Sequence, residues 1–298
     1  MTPRTNHRVR WCFHTTAMVA DYDLTLGALS RIIGCRALED HVLDDPAIGR
    51  RGGMAWVGDN SIEIGEPAVA DGAVDRYVRR FGSHMSSIAV QVADTDATVA
   101  HLESVGVRVS SRIDDDIVFT SPSSTAGIAI EWFGGVPAND PRFGTEIPPY
   151  PVTPLLDVTH IAFGGAVVAD PASDARLLAE AFGTAVTFVD DDAPAGWPRA
   201  GVSLVDMTLA LFAMPHPDES EALWGHTYAR PQTSSLGVRV PDLSTALAVL
   251  RDADVGLVRH DDRMIVVDPS VTGGVSLVVV DQLLHGDPRA ADSVDRQR

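Results

Sequence analysis

Alternating apolar and polar residues mark several short segments of the chain, and such alternation predicts half-buried β-strands. Two of these segments, residues 10–19 and 87–92, lead into stretches at 21–33 and 94–105 that begin with Asp and are followed by Gly. These end residues favour the N-cap and the C-cap of a helix. Three further strand-like segments follow each helix, at 35–43, 52–58, 60–66, 107–112, 116–120 and 127–133. The first half of the chain therefore predicts the order strand–helix–strand–strand–strand twice.

The rest of the chain repeats this pattern. An octapeptide SIAVQVAD in the first half matches SLGVRVPD in the second half. Corresponding positions lie 146 to 148 residues apart, as in the pairs His14/His160, Ser87/Ser235 and Glu131/Val278. An offset this constant over the length of the chain indicates a duplication.

A proline-rich stretch separates the two copies. Residues 134–155 contain six prolines, which disfavour helix and interrupt a sheet ladder. The sequence therefore predicts a first module at 8–135, a semi-rigid linker at 136–155 and a second module at 156–284.

Composition narrows the classes of function. Apolar residues make up 45% of the 298 residues and charged residues 21%, as in a globular protein with a substantial core. The net charge of −18 disfavours binding to nucleic acid or to an anionic membrane surface. No segment has the length of a membrane span or of a signal peptide, and Cys12 and Cys35 are expected to be reduced and buried. A cytoplasmic location is expected, and a homodimer is compatible with these features.

Four side chains in the first module interrupt otherwise apolar strands or lie next to them, namely His14, Glu63, His84 and Glu131. A carboxylate on the inner face of a sheet is costly unless it is paired or bound to a metal. Imidazole together with carboxylate suits Zn, Fe, Mn, Co or Ni. An isolated Glu in a strand more often faces solvent, so the metal prediction depends on the positions of all four residues within the repeat.

The doubled strand–helix–three-strand unit, with His on its first strand and Glu on its fourth and eighth strands, resembles the vicinal oxygen chelate superfamily. That superfamily includes glyoxalase I, methylmalonyl-CoA epimerase and the extradiol dioxygenases. The resemblance covers residues 10–281. It implies an α+β fold of tandem βαβββ–βαβββ modules, each a cup-shaped mixed sheet, with one divalent transition metal on the floor of the first cup.

The resemblance also implies the metal ligands. His14, Glu63 and Glu131 match the first, fourth and eighth strands, but Ser87 stands where the fifth-strand ligand is usual. His84 lies three residues before Ser87, and only a bulge or turn at residues 83–86 would direct its ring into the cup. In the second module, Ala210, Ser235 and Val278 replace three of the ligands, and His160 alone remains. That module is expected to be structural or to cover the substrate.

A metal in such a cup stabilises an enolate oxygen as a Lewis acid, while a carboxylate moves the α-proton. The first hypothesis is thus a metal-dependent epimerase or isomerase acting on a small polar substrate such as a cyclitol (C7-sugar) or sugar-derived ketone. Glu63 and Glu131 are the candidate bases, and His41 is a third candidate for acid–base catalysis. The alternatives are an extradiol-type ring-cleavage dioxygenase and a protein that binds a drug or metabolite without chemistry.

Overall fold

The computed structural model describes residues 7–38, 43–45, 49–137 and 140–290. It has the α+β architecture that the sequence predicts, with one mixed sheet in each module. No helix in these ranges is long and apolar enough to cross a membrane.

The first module contains nine strands and three helices within the described ranges. Its strands are β1 (Trp11–Met18), β2 (Arg36–Ala37), β3 (Leu43–Asp45), β4 (Arg50–Val57), β5 (Asn60–Pro67), β6 (His84–Gln91), β7 (Val109–Arg112), β8 (Ile117–Thr120) and β9 (Ala129–Phe133). Its helices are α1 (Tyr22–Ile33), α2 (Ala73–Phe81) and α3 (Thr95–Ser104).

The second module repeats this order. Its strands are β10 (His160–Val168), β11 (Val186–Val189), β12 (Pro198–Ser203), β13 (Thr208–Ala213), β14 (Gln232–Arg239), β15 (Leu257–His260), β16 (Ile265–Val267) and β17 (Leu277–Val280). Its helices are α4 (Pro171–Phe182), α5 (Pro217–Trp224) and α6 (Leu243–Asp252).

The two sheets share one strand order. The first runs β2-β4-β5-β1-β6-β9-β8-β7, with β3 paired to β4, and the second runs β11-β12-β13-β10-β14-β17-β16-β15. In the first sheet, β1 is parallel to β5 and antiparallel to β6, and β6 is parallel to β9. The four central strands therefore bring together the first, fourth, fifth and eighth strands on which the candidate ligands were predicted.

Aspartate N-caps begin four of the helices. The side chains of Asp21, Asp94, Asp170 and Asp242 each accept a hydrogen bond from a backbone amide three residues later. Such a cap stabilises a helix by about 1 kcal/mol, which explains why α1 and α3 could be located from sequence.

The core is continuous between the modules. Apolar residues on the outer face of the first sheet, such as Ile62 and Ile88, form one cluster with α1, α4 and α6 and with the outer face of the second sheet. The rings of Trp132 and Phe182 meet across the boundary, with centroids 5.4 Å apart. The two modules are thus not separate packing units.

Three predictions about elements need correction. The single strand expected at 35–43 is replaced by β2 and β3, and residues 39–42 lie outside the described residues. Helices α2 and α5 were not predicted, since they have no side-chain N-cap and α2 buries only two residues. Strand β6 begins at His84, three residues earlier than expected.

The segment between the modules packs against the first one. A 3₁₀ turn, Pro141–Phe143, presents Arg142 to the backbone of β1. The backbone amides of Leu155 and Leu156 donate to the last turn of α1, at the carbonyls of Arg31 and Ile32. The segment is therefore part of the first module's structure as well as a connection.

Candidate functional site

Three of the predicted residues lie on one face of the first sheet, here called the inner face. Thr16 on β1 stands opposite Glu63 on β5, and His14 stands opposite Ala89 on β6. Ala89 in turn pairs with Glu131 on β9. Since directly paired residues project to the same side of a sheet, His14, Glu63 and Glu131 share the inner face. The outer face carries the apolar core.

His14 is buried and electrically neutral near pH 7. Burial lowers the pKa of its imidazole to about 4, although the nearby carboxylate of Glu63 acts in the opposite direction. Its Nδ1 lies 3.2 Å from the hydroxyl of Thr16, and that hydroxyl donates to Glu63 Oε2 at 3.3 Å. Since a hydroxyl has one proton, Nδ1 must donate to Thr16, which leaves the lone pair on Nε2. A free Nε2 is a suitable base or metal ligand.

Glu63 is paired with a residue that was not among the sequence candidates. Its Oε1 lies 3.0 Å from Nη2 of Arg50, whose side chain is only 16% exposed. Arg50 begins β4 and lies on the inner face together with Met54, which stands opposite Glu63. The predicted strand begins at residue 52 and therefore omits Arg50. Extending the two-residue alternation by one step would have included it.

Glu131 is a half-buried carboxyl group with no hydrogen-bond or ion-pair partner in the part of the chain that the structure describes. Burial raises its pKa to about 8, and the charge of Glu63 adds to that effect while Arg50 opposes it. A carboxyl group that titrates near neutral pH can both accept and return a proton there. Such a perturbed group is typical of a functional site.

His84 reaches the inner face but is bound to other partners. The register of β6 against β1 shifts between Thr16 and Ala17, so that a bulge brings His84 opposite Met18. However, Nε2 lies 3.0 Å from the hydroxyl of Tyr77 and Nδ1 lies 2.9 Å from the carbonyl of Gly82. The bulge that His84 needs is thus present, but both ring nitrogens are engaged with α2 and the turn that follows it.

The four predicted ligands do not meet at one point. Within residues 7–38, 43–45, 49–137 and 140–290, no three His, Cys, Asp or Glu side chains converge closely enough to hold a metal ion. His41, the third acid–base candidate, lies outside the described residues, as do Glu39 and Asp40 beside it. The described inner face therefore brings together His14, Thr16, Glu63, Arg50 and Glu131.

The second module has apolar residues at the corresponding places. By sheet register, Phe163 corresponds to His14, Ala210 to Glu63 and Val278 to Glu131, and all three are fully buried. The pairing of His14 with His160 was wrong, because His160 pairs with Arg239 and thus corresponds to Trp11. The first strand of each module, β1 and β10, contains a bulge. A comparison of the two halves of the sequence at a constant offset does not reveal these bulges.

The comparisons with known proteins support the fold. No family model matches the chain, and no curated protein has a similar sequence. A mutant of 4-hydroxymandelate synthase from Streptomyces coelicolor superposes with a TM-score of 0.64 at 16% identity, covering 97% of this chain and 99% of that one.

Single-module structures align with part of the chain. Methylmalonyl-CoA epimerase from Mycobacterium tuberculosis gives a TM-score of 0.38 at 22% identity, covering 43% of this chain and 90% of its own. The whole-chain superposition shows that this protein shares the two-module fold of the 4-hydroxymandelate synthase structure.

Proposed function

We propose that the inner face of the first module catalyses proton transfer at a carbon next to a carbonyl group, as an epimerase or isomerase does. The observation that carries this proposal is Glu131, a half-buried carboxyl group with a pKa near 8 and no described polar partner. The finer proposal for the substrate is a small polar ketone derived from a cyclitol or a sugar.

The proposed chemistry uses the residues of this face. The ionised carboxylate of Glu131 removes the α-proton, and the electron pair moves to the carbonyl oxygen. The guanidinium of Arg50 supplies positive charge on the same face, where an enolate oxygen would be stabilised. Glu131 then returns the proton, since its pKa lies close to the operating pH.

Inversion of a stereocentre needs a second group on the opposite side of the substrate. Glu63 is the proposed second base, linked to His14 through the hydroxyl of Thr16. Glu63 already accepts from Thr16 and lies next to Arg50. The two carboxylates lie on β5 and β9, with β1 and β6 between them, and the substrate would lie over these two central strands.

A divalent transition metal is the cofactor that the sequence predicts, and no step above depends on it. The types of side chain at His14, Glu63 and Glu131 are suitable as metal ligands. His84 is instead hydrogen-bonded to Tyr77 and Gly82. The described arrangement of the other three does not fit a metal, because Arg50 is paired with Glu63. A bound metal would act as a Lewis acid. Metal analysis of purified protein, together with Arg50→Ala, tests this: freeing Glu63 should raise the affinity for Zn²⁺ or Co²⁺.

The main test is deuterium incorporation from D₂O. Ketones, thioesters and α-hydroxy carbonyl compounds are incubated with the wild-type protein and with Glu131→Gln, and exchange at the α-carbon is followed by NMR. Glu131→Gln should slow exchange by about 10²- to 10⁴-fold, the usual contribution of a general base. Glu103→Gln, the same change on the exposed surface of α3, is the control and should leave the rate unchanged.

Other outcomes would replace this proposal. Equal exchange rates in Glu131→Gln and the wild type would show that Glu131 is not the base. Oxygen consumption with a catechol would favour the ring-cleavage dioxygenase. Tight binding of a metabolite without exchange of any substrate class would favour a binding protein.

A further inference from the structure

The strand that carries His14 is irregular just before this residue. Cys12 pairs with Val90 and His14 pairs with Ala89, so Phe13 is an extra residue in β1. A bulge changes the direction in which the following side chain points. It also leaves backbone groups without partners in the ladder, and these need hydrogen bonds from elsewhere.

An arginine from the segment after β9 binds the carbonyl groups of this bulge. Arg142 donates to the carbonyl of Cys12 at 2.8 Å and to that of Phe13 at 2.9 Å. Its guanidinium is held by the buried carboxylate of Asp140, at 3.0 Å through Nε and 2.6 Å through Nη2. The first module thus supplies the donors that the bulge needs.

Asn60 and Ser61 also donate to these two carbonyls, and a further contact with the bulge comes from the second module. Asp206, in the turn between β12 and β13, accepts a hydrogen bond of 2.7 Å from the amide of Cys12. Its other oxygen lies 3.8 Å from Nη1 of Arg142. Asp206 therefore contacts both the bulge and the arginine that holds it, from across the boundary between the modules.

The turn that presents Asp206 is strained. Val205 has a φ of +78°, a conformation that a β-branched residue rarely adopts. The corresponding residue of the first module is Gly58, with a φ of +59°, which carries no such strain. A non-glycine residue in this conformation persists only when its surroundings hold it there.

The reciprocal contact exists on the other side. Asp59, in the turn between β4 and β5, accepts from the amide of Ile161 at 2.9 Å and lies 2.9 Å from Arg289. Arg289 donates to the carbonyls of Ile161 and Ala162, which form the bulge in β10. Asp59 thus has the same two kinds of partner as Asp206, a bulge amide and the arginine that binds the bulge, although its arginine lies closer. This second bulge precedes the buried Phe163 instead of a polar residue.

We infer that Asp206 is a positioning residue: the second module, through the contacts of Asp206 with Cys12 and Arg142, helps to fix the bulge that sets the orientation of His14 on the inner face of the first module. The inference assigns a role to the second module that does not depend on which substrate the protein uses. It also predicts that the two symmetry-related aspartates differ in their effect on His14, although they make the same kind of contact.

The test compares Asp206→Ala with Asp59→Ala in full-length protein with ¹³C-labelled histidine. The ring resonance of His14 is assigned by its loss in His14→Gln. Both alanine variants should lower the melting temperature, since each loses a hydrogen bond to a bulge amide across the boundary between the modules. Only Asp206→Ala should move the His14 resonance, and Asp206→Asn should return it towards its wild-type position because the amide oxygen still accepts from Cys12.

An unmoved His14 resonance in Asp206→Ala would overturn the inference, and so would an equal movement in Asp59→Ala. If the alanine variants do not fold, Asp206→Ser and Asp59→Ser take their place, because they shorten the side chain but keep a polar turn. This readout needs no substrate. Failure of the proposed epimerase activity and failure of this inference are therefore distinguishable.

Discussion

The two modules have the same strand order, yet their inner faces are opposite in character. The inner face of the first module holds His14, Glu63 and Arg50, of which Glu63 and Arg50 form an ion pair. The inner face of the second module is filled by an apolar cluster that includes Phe163 and Trp224. The same backbone can therefore enclose either a polar site or a packed core, and the side chains alone decide which.

Small residues in the second module make room for this packing. Gly237 takes the place of Ala89, and a Cβ atom there would lie 2.5 Å from the ring of Phe163. The ring of Phe212 meets that of Trp224 edge to face, with centroids 4.7 Å apart. Burying one such large side chain stabilises a fold by about 1.5–3 kcal/mol. We therefore expect the second module to contribute more to stability than to chemistry.

The largest effect is expected when the polar pattern is transferred to the second module. Ala210→Glu introduces the equivalent of Glu63 at a fully buried position in the apolar cluster, with no arginine in the place of Arg50. An uncompensated buried charge costs about 3–5 kcal/mol, so the melting temperature should fall steeply. The reverse change, Glu63→Ala, should cost less, because the guanidinium of Arg50 that it leaves unpaired is 16% exposed and keeps contact with water. Thermal unfolding of both variants checks this, and similar losses would contradict the contrast between the two faces.

A second prediction compares two aromatic residues on the corresponding helices α5 and α2. Trp224 is 1% exposed and packs in the apolar cluster on the inner face of the second sheet. Tyr77 is half-buried beside His84. Trp224→Ala should lower the free energy of unfolding by about 3–5 kcal/mol, as is usual for a buried large side chain. Tyr77→Ala should lower it less. Denaturant titrations measure both losses. A larger loss for Tyr77→Ala would show that the inner face of the first sheet is the better packed.

A third prediction concerns the pH dependence of stability. The pKa of Glu131 is about 8 in the folded protein against an ordinary value of 4.5. The folded state therefore holds the proton more tightly, and Glu131 makes stability fall as the pH rises from about 4.5 to about 8. Glu131→Gln should flatten the melting-temperature profile in this window. A profile with the wild-type slope would mean that the carboxyl group is not buried in this way.

The sequence predicted the fold well because its signals are local. Asp21 and Asp94 begin helices where their capping role requires, and the alternation around Glu63 and Glu131 gives the correct side of each strand. These patterns depend only on neighbouring residues. The amino-acid sequence alone is therefore enough to predict that both carboxylates share one face.

The parts of the site that the sequence did not predict depend on contacts between residues far apart in the chain. The partner of His84 is Tyr77, on a helix whose charged sequence gave no capping signal. Asp206 binds Cys12 across 194 residues, and no local pattern indicates such a contact. The sequence does contain one indication of the arginine contacts. The tripeptide Asp-Pro-Arg occurs at 140–142 and again at 287–289, with the same offset as the duplication. Both copies bind a bulge.

The continuous core between the modules has a consequence for how the molecule unfolds. Since Trp132 and Phe182 pack against each other and the outer faces of both sheets belong to one cluster, neither half can lose its structure without exposing apolar surface of the other. The chain should behave as one cooperative unit, with a single calorimetric transition. On this expectation the duplicated sequence forms one folding unit with two unlike halves.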